Sequence, residues 1–187
     1  MLPNIHALPP LPVVAGGLGV VVHAPFSFLY HWVYATKIHP SKRIEHWSRR
    51  LDNAAIHFAG ACMSYATSGR MDYFILNAAF NMDCAYRQFE RRIQPRRNLI
   101  RTVISILLYC LPVLRRGYYE TFIQLITIFG LSGWLFAAYP FGGWSHSLFH
   151  VVVAFMPHLV MLSACELPSS QLQISLAAKC AVMAAKA

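Results

Sequence analysis

Trp144-Ser145-His146-Ser147-Leu148-Phe149-His150-Val151-Val152-Val153-Ala154-Phe155-Met156 opens a run that stays largely apolar to Leu167 and meets its first formal charge at Glu166. A helix needs about 20 mostly apolar residues to cross a bilayer, and this run supplies them. Ionisable groups inside such a run cost several kcal/mol, so His146 and His150 need a reason to be there. Their spacing of four puts both imidazoles on one helical face, where two ligands for one metal ion belong.

Five further apolar stretches precede this one: Pro10 to Thr36, Leu51 to Ser68, Met71 to Arg87, Asn98 to Leu114 and Tyr118 to Tyr139. The second and third are the shortest and least apolar. Between them lie basic loops at Lys37 to Arg50 and Arg87 to Arg97, a Ser-Gly-Arg turn at Ser68 to Arg70, Arg115-Arg116-Gly117, and Pro140 with Gly142-Gly143. Such punctuation ends helices. The expected fold is all-α, a polytopic membrane helical bundle of about six transmembrane helices. Residues 1–170 form the single bundle and 171–187 a C-terminal tail, read as an interfacial helix. Within the first stretch, Gly16-Gly17-x-Gly19 suits close helix packing.

Composition agrees with a membrane solvent, since 57% of the residues are hydrophobic and only 12% charged. The net charge of +9 does not mark a nucleic-acid binder, because the basic residues fall in loops beside spans and not along one soluble face. Six alternating spans give one side Lys37, Lys42, Arg43, Arg49, Arg50, Arg87, Arg91, Arg92, Arg96 and Arg97; the other receives Arg70, Arg115, Arg116, Lys179 and Lys186. The positive-inside rule then sets both termini on the opposite side from the basic loops. The partners this implies are membrane lipids. Cys62, Cys84, Cys110, Cys165 and Cys180 show no C-x-x-C spacing and are read as buried thiols. No Lys or Arg precedes Lys37, which does not fit a cleaved secretory signal.

Three polar groups share one leaflet in this arrangement: Ser27-x-x-x-His31 late in the first span, Asp52 at the start of the second, and His146-x-x-x-His150 at the start of the sixth. At ~1.5 Å per residue, the histidines and Asp52 fall within about 10 Å of the same interface. Three neutral imidazoles suit Zn2+ with one position left open, as in a catalytic site. Asp52 is then the candidate water-holding base and Ser27 the candidate oxyanion donor. Each piece alone has a plainer reading: helical spacing makes H-x-x-x-H common, Ser27 can serve helix packing, and Asp52 can cap a helix. His6, His23, His39, His46, His57 and His158 are assigned to structure; His23 lies about 12 Å along the axis from His31, too far for a shared ligand shell.

Ser27-Phe-Leu-Tyr-His31, Leu51-Asp52-Asn-Ala-Ala-Ile56 and Ser145-His146-Ser-Leu-Phe-His150-Val-Val-Val153 together resemble the progestin and adipoQ receptor (PAQR) and haemolysin III families. These belong to the wider membrane-hydrolase superfamily that includes alkaline ceramidases. The resemblance implies a zinc ion held by His31, His146 and His150, with Asp52 positioning water and Ser27 nearby. It also implies a helix before the Ser-x-x-x-His element, which has no counterpart here and whose absence leaves a groove open to lipid or to a partner helix. Two functions follow as expectations. One is a zinc-dependent hydrolase of a lipid amide or ester, ceramidase-like, fed with lipid substrate from the bilayer. The other is a non-catalytic accessory subunit of a larger membrane complex that retains the fold.

Overall fold

The computed structural model of the chain describes residues 8–186, without the side chains of Pro40, Cys180, Ala184 and Lys186. His6, and the side chains of Cys180 and Lys186, therefore lie outside the described residues. Every regular element in that range is helical: α1 (Leu11–Phe28), α2 (Trp47–Ser68), α3 (Met71–Tyr86), α4 (Pro95–Arg115), α5 (Tyr119–Ala138), α6 (Trp144–Val153), α7 (Phe155–Cys165) and α8 (Pro168–Lys186). A π-helical segment, Leu29–Tyr34, continues α1, and short 3-10 turns lie at Pro40–Lys42 and Arg87–Phe89. No strand occurs among the described residues.

Four helical segments are long and apolar enough to cross a membrane: Leu11–Tyr34, Pro95–Arg115, Tyr119–Ala138 and Trp144–Cys165. Large apolar side chains on them face outward, among them Leu18, Val21, Leu107, Ile123 and Val151. Outward-facing residues of this kind suit a hydrocarbon solvent and not water. The two remaining stretches differ from these four for separate reasons. Helix α2 has the length, 22 residues, but it packs against α1, α3, α4 and α7 and buries Asp52, His57, Ser64 and Thr67 inside the bundle. A helix enclosed by other helices needs no apolar surface, so its mean hydropathy is low. Helix α3 is 16 residues long, about 24 Å at ~1.5 Å per residue, against a hydrocarbon thickness of ~30 Å.

Several boundaries move relative to the sequence reading. Helix α2 begins at Trp47, with His46 as its N-cap accepting from the Ser48 amide at 3.3 Å. Asp52 therefore sits beyond the first turn and caps nothing. The last apolar run is two helices, α6 and α7, meeting at Ala154, with Pro157 unable to donate to the ladder just beyond. The tail is the exposed helix α8.

Two of the three glycines clustered on α1 pack closely. A Cβ at Gly19 would lie 3.1 Å from Cys62 Cβ and 3.2 Å from Ala59 Cα, and one at Gly16 3.4 Å from Ala66 Cβ. These contacts seat α1 directly on α2. The apolar core, which includes Met63, Ala66, Tyr109, Val113, Leu125, Met156 and Val160, joins α2, α4, α5 and α7. It uses the C-terminal halves of α2 and α4 and the N-terminal part of α5. The N-terminal half of α2 is left to the polar groups.

Candidate metal centre

His31 is placed by an irregularity. Pro25 lies inside α1 and has no amide hydrogen to donate, and four residues later the helix widens into the π segment, closed by the Ala35 amide donating to the Tyr30 carbonyl at 2.8 Å. The wide turn changes the azimuth of the residues within it, His31 among them. On the other side of the site, Tyr139 takes the left-handed conformation at φ 48° and Gly142 at φ 56°, reversing the chain between α5 and α6. Fully buried Ser145 accepts a 2.8 Å hydrogen bond from the Phe141 amide and fixes the start of α6 one residue before His146.

The three histidines converge. His146 Nε2 lies 3.1 Å from His31 Nδ1 and 3.2 Å from His150 Nε2. One ligand nitrogen from each ring can be chosen so that all three lie within 4.8 Å of one another. Such a cluster is awkward for neutral imidazoles alone. His146 Nε2 carries either one hydrogen or one lone pair, so it can hydrogen-bond only one of the two ring nitrogens that face it. A cation at the centre would use the three converging lone pairs at once. The group can hold a metal ion. Phe149 stacks on His146 at 5.8 Å between centroids, and Phe136 lies 6.2 Å away, an apolar wall on that side.

Asp52 is 5% exposed and stands behind His31. Its Oδ2 lies 3.5 Å from His31 Nε2, and its Oδ1 accepts from His23 Nε2 at 3.2 Å. Ser27 is half-buried one helical turn before His31, and among the described residues its hydroxyl makes none of the site's hydrogen bonds. The structure thus brings together His31, His146, His150 and Asp52, adds His23 through its contact with Asp52, and joins Ser27 to none of them by a hydrogen bond among the described residues.

His23, which the sequence assigns to structure, stays outside the three-histidine group, and its imidazole meets Asp52, the carboxylate that also faces His31. His57, by contrast, faces away into a second buried cluster: its Nδ1 lies 3.1 Å from Asn81 Oδ1, which also accepts from Ser105 Oγ at 2.6 Å. His158 is exposed on α7. Cys62, Cys84 and Cys110 are buried free thiols, while Cys165 is half-exposed.

Fold and site together define an all-helical chain with four helices able to cross a membrane and a three-histidine cluster able to hold a metal ion. In comparisons with protein-family models, curated proteins and solved structures, no match to the chain is found.

Proposed function

We propose that the chain is a zinc-binding integral membrane protein of six spans, akin to the PAQR and haemolysin III proteins, that hydrolyses a lipid amide or ester. The observation that carries this reading is the convergence of His31, His146 and His150 with a buried carboxylate directly behind one of them. Tetrahedral zinc with bonds of ~2.0–2.1 Å to imidazole nitrogens separates those nitrogens by about 3.3 Å. The 3.1 and 3.2 Å contacts at His146 Nε2 are close to that spacing.

His31, His146 and His150 would hold the ion, which when bound lowers the pKa of a coordinated water to ~7 and polarises a carbonyl oxygen. The chain's own groups do the rest. Each Asp52 oxygen keeps a further lone pair beyond its imidazole, so the carboxylate remains able to orient water and take its proton. The Ser27 hydroxyl, free of other engagements in the site, is the donor available to a developing oxyanion. Exposed Phe28 and Trp32, stacked at 6.0 Å on the outside of the same helix, offer an apolar approach for an acyl chain.

The test is release of fatty acid from a panel of ceramides and acyl esters by the purified chain in lipid nanodiscs, with and without zinc. Zinc-dependent release is expected. Asp52→Ala, assayed at saturating zinc, should lower it by about 100-fold or more, the scale of a lost general base. A chain that keeps its zinc and turns over no lipid would overturn the hydrolase.

A second reading is favoured by one observation: both oxygens of Asp52 are engaged by histidines, as they would be if the carboxylate served the metal site's rigidity. The chain would then be a non-catalytic subunit of a membrane complex. An apolar groove of about 190 Å3 between α1, α2 and α3, lined by Leu11, Leu18, Cys62, Tyr65 and Phe74, is where a large side chain of a partner helix would seat. Stable partners in native mass spectrometry from mild detergent are the expected result for that reading.

A further inference from the structure

We infer that His23 is a positioning residue of the metal site, the outer end of a His23–Asp52–His31 chain that fixes which nitrogen His31 turns toward the ion. The inference rests on the metal reading proposed above and extends it to a residue that touches no ligand position.

The chain of contacts runs in one direction. An ionised carboxylate only accepts hydrogen bonds, so the imidazole nitrogens that face it carry hydrogen. His23 Nε2–H therefore donates to Asp52 Oδ1 at 3.2 Å. His31 Nε2 faces Asp52 Oδ2 at 3.5 Å, an ion-pair separation longer than a hydrogen bond. A neutral imidazole with hydrogen on Nε2 has its lone pair on Nδ1, and in His31 that nitrogen is the one 3.1 Å from His146 Nε2. His31 is thus presented to the cluster in a single tautomer, by the carboxylate–histidine arrangement that commonly backs a metal-ligating imidazole.

His23 supplies what this arrangement lacks without it. Asp52 is 5% exposed, and a buried carboxylate held on one side only is free to rotate about its last torsion and costs free energy for every unmet acceptor. The second donor, from α1 eight residues before His31, pins the carboxylate plane against α2. His23 and His31 lie on one continuous helix, so both grip Asp52 from the same wall of the site. The π segment lies between them in sequence, after His23 and around His31. In an unbroken α-helix, eight residues place two side chains about 80° apart. The widened turn alters that relation, and both rings meet one carboxylate.

The inference is tested on the full chain in nanodiscs by zinc affinity, measured in competition with a chelator, and by the visible spectrum of the cobalt-substituted protein. His23→Ala should weaken zinc binding by about 10-fold, at the lower end of the loss seen when such outer partners are removed, and should shift the cobalt bands. His23→Gln, whose amide can donate to Asp52 from a similar reach, should recover most of the affinity. The decisive measurement is the pair: His23→Ala should add no further loss on top of Asp52→Ala, because its effect passes through that carboxylate.

Additive losses, or zinc affinity and cobalt bands left unchanged by His23→Ala, would overturn the positioning role while the metal site stands. Binding of two zinc equivalents by the unaltered chain, one of them lost with His23→Ala, would also overturn it by making His23 a ligand. Uptake of neither ion by the unaltered chain overturns the metal reading and this inference with it. Circular dichroism melts of each variant separate these outcomes from a failure to fold, and His23→Gln keeps the test open if His23→Ala unfolds.

Discussion

At the scale of single residues, the polar groups of α2 divide into two sets with different work to do. Asp52 faces His23 and His31, whereas His57, five residues on, faces Asn81 and Ser105. The second set is buried and must be satisfied internally, and it is not fully so: His57 Nε2 and Asn77 Oδ1 have no partner among the described residues. The two sets should therefore separate by mutation. His146→Ala removes the ligand nitrogen that lies nearest both others and is expected to abolish zinc uptake, measured by elemental analysis of the purified chain. Asn81→Ala removes the shared acceptor of His57 and Ser105 and leaves two buried donors unmet. It should cost stability by about 1–3 kcal/mol per unmet group at most, read from denaturant unfolding, and leave zinc stoichiometry unchanged.

The residue scale is also where the sequence was least legible. His146 and His150 announce themselves, because a spacing of four in an uncharged apolar run is visible without a structure. His31 and Asp52 follow from counting residues to the membrane edge. His23 does not, since its role depends on a carboxylate from another helix and on a π turn that no spacing rule foretells. Ser27 shows the opposite limit: its position one turn before His31 is plain in the sequence, but where its hydroxyl points is not.

At the scale of elements, the packing of α1 on α2 turns on small residues. Gly16-Gly17-x-Gly19 looks uniform in sequence, but the three glycines meet different surroundings. Gly19 faces Ala59 and Cys62 at contact distance, Gly16 faces Ala66, and Gly17 has nothing within 4 Å. Gly19→Val should push α1 off α2 and cost about 1–3 kcal/mol, the usual penalty of overpacking. Because α1 carries His23 and His31, the same change should weaken zinc binding. Gly17→Ala should do neither, and removing a glycine from a helix interior should stabilise by about 0.5–1 kcal/mol. Thermal unfolding in nanodiscs, with zinc affinity measured on the same samples, checks both. Sequence could place this cluster on a packing face; it could not tell which glycine carries the contact, because that depends on the azimuth of the neighbouring helix.

At the scale of the whole molecule, six crossings differ from four in whether α2 and α3 cross the membrane with the four apolar segments. The outer helices were legible in sequence because lipid selects an apolar surface, while α2 was blurred because protein surrounds it. Six crossings and four crossings agree about almost everything: in both, the loops carrying Arg49 and Arg91 share one side, and Arg116 and the tail lie on the other. They disagree at the turn between α2 and α3. If both helices cross, Gly69 and Arg70 lie on the side of Arg116, in keeping with the 3.1 Å between a Cβ at Gly69 and the Leu167 side chain just before the tail; if neither crosses, they lie on the side of Arg91. Arg70 is well exposed, with 72% of its side chain accessible, so it can report. With the native cysteines replaced by serine or alanine, Arg70→Cys is expected to react with a membrane-impermeant maleimide from the face opposite that of Arg91→Cys in sealed vesicles. Labelling of both from one face would reduce the protein to four spans. The length of α2, about 33 Å for its 22 residues at ~1.5 Å each, is what favours crossing. The shorter α3 can follow it across only if its terminal Arg70 and Arg87 reach out to the two interfaces, the adjustment long basic side chains make where a helix is shorter than the bilayer is thick.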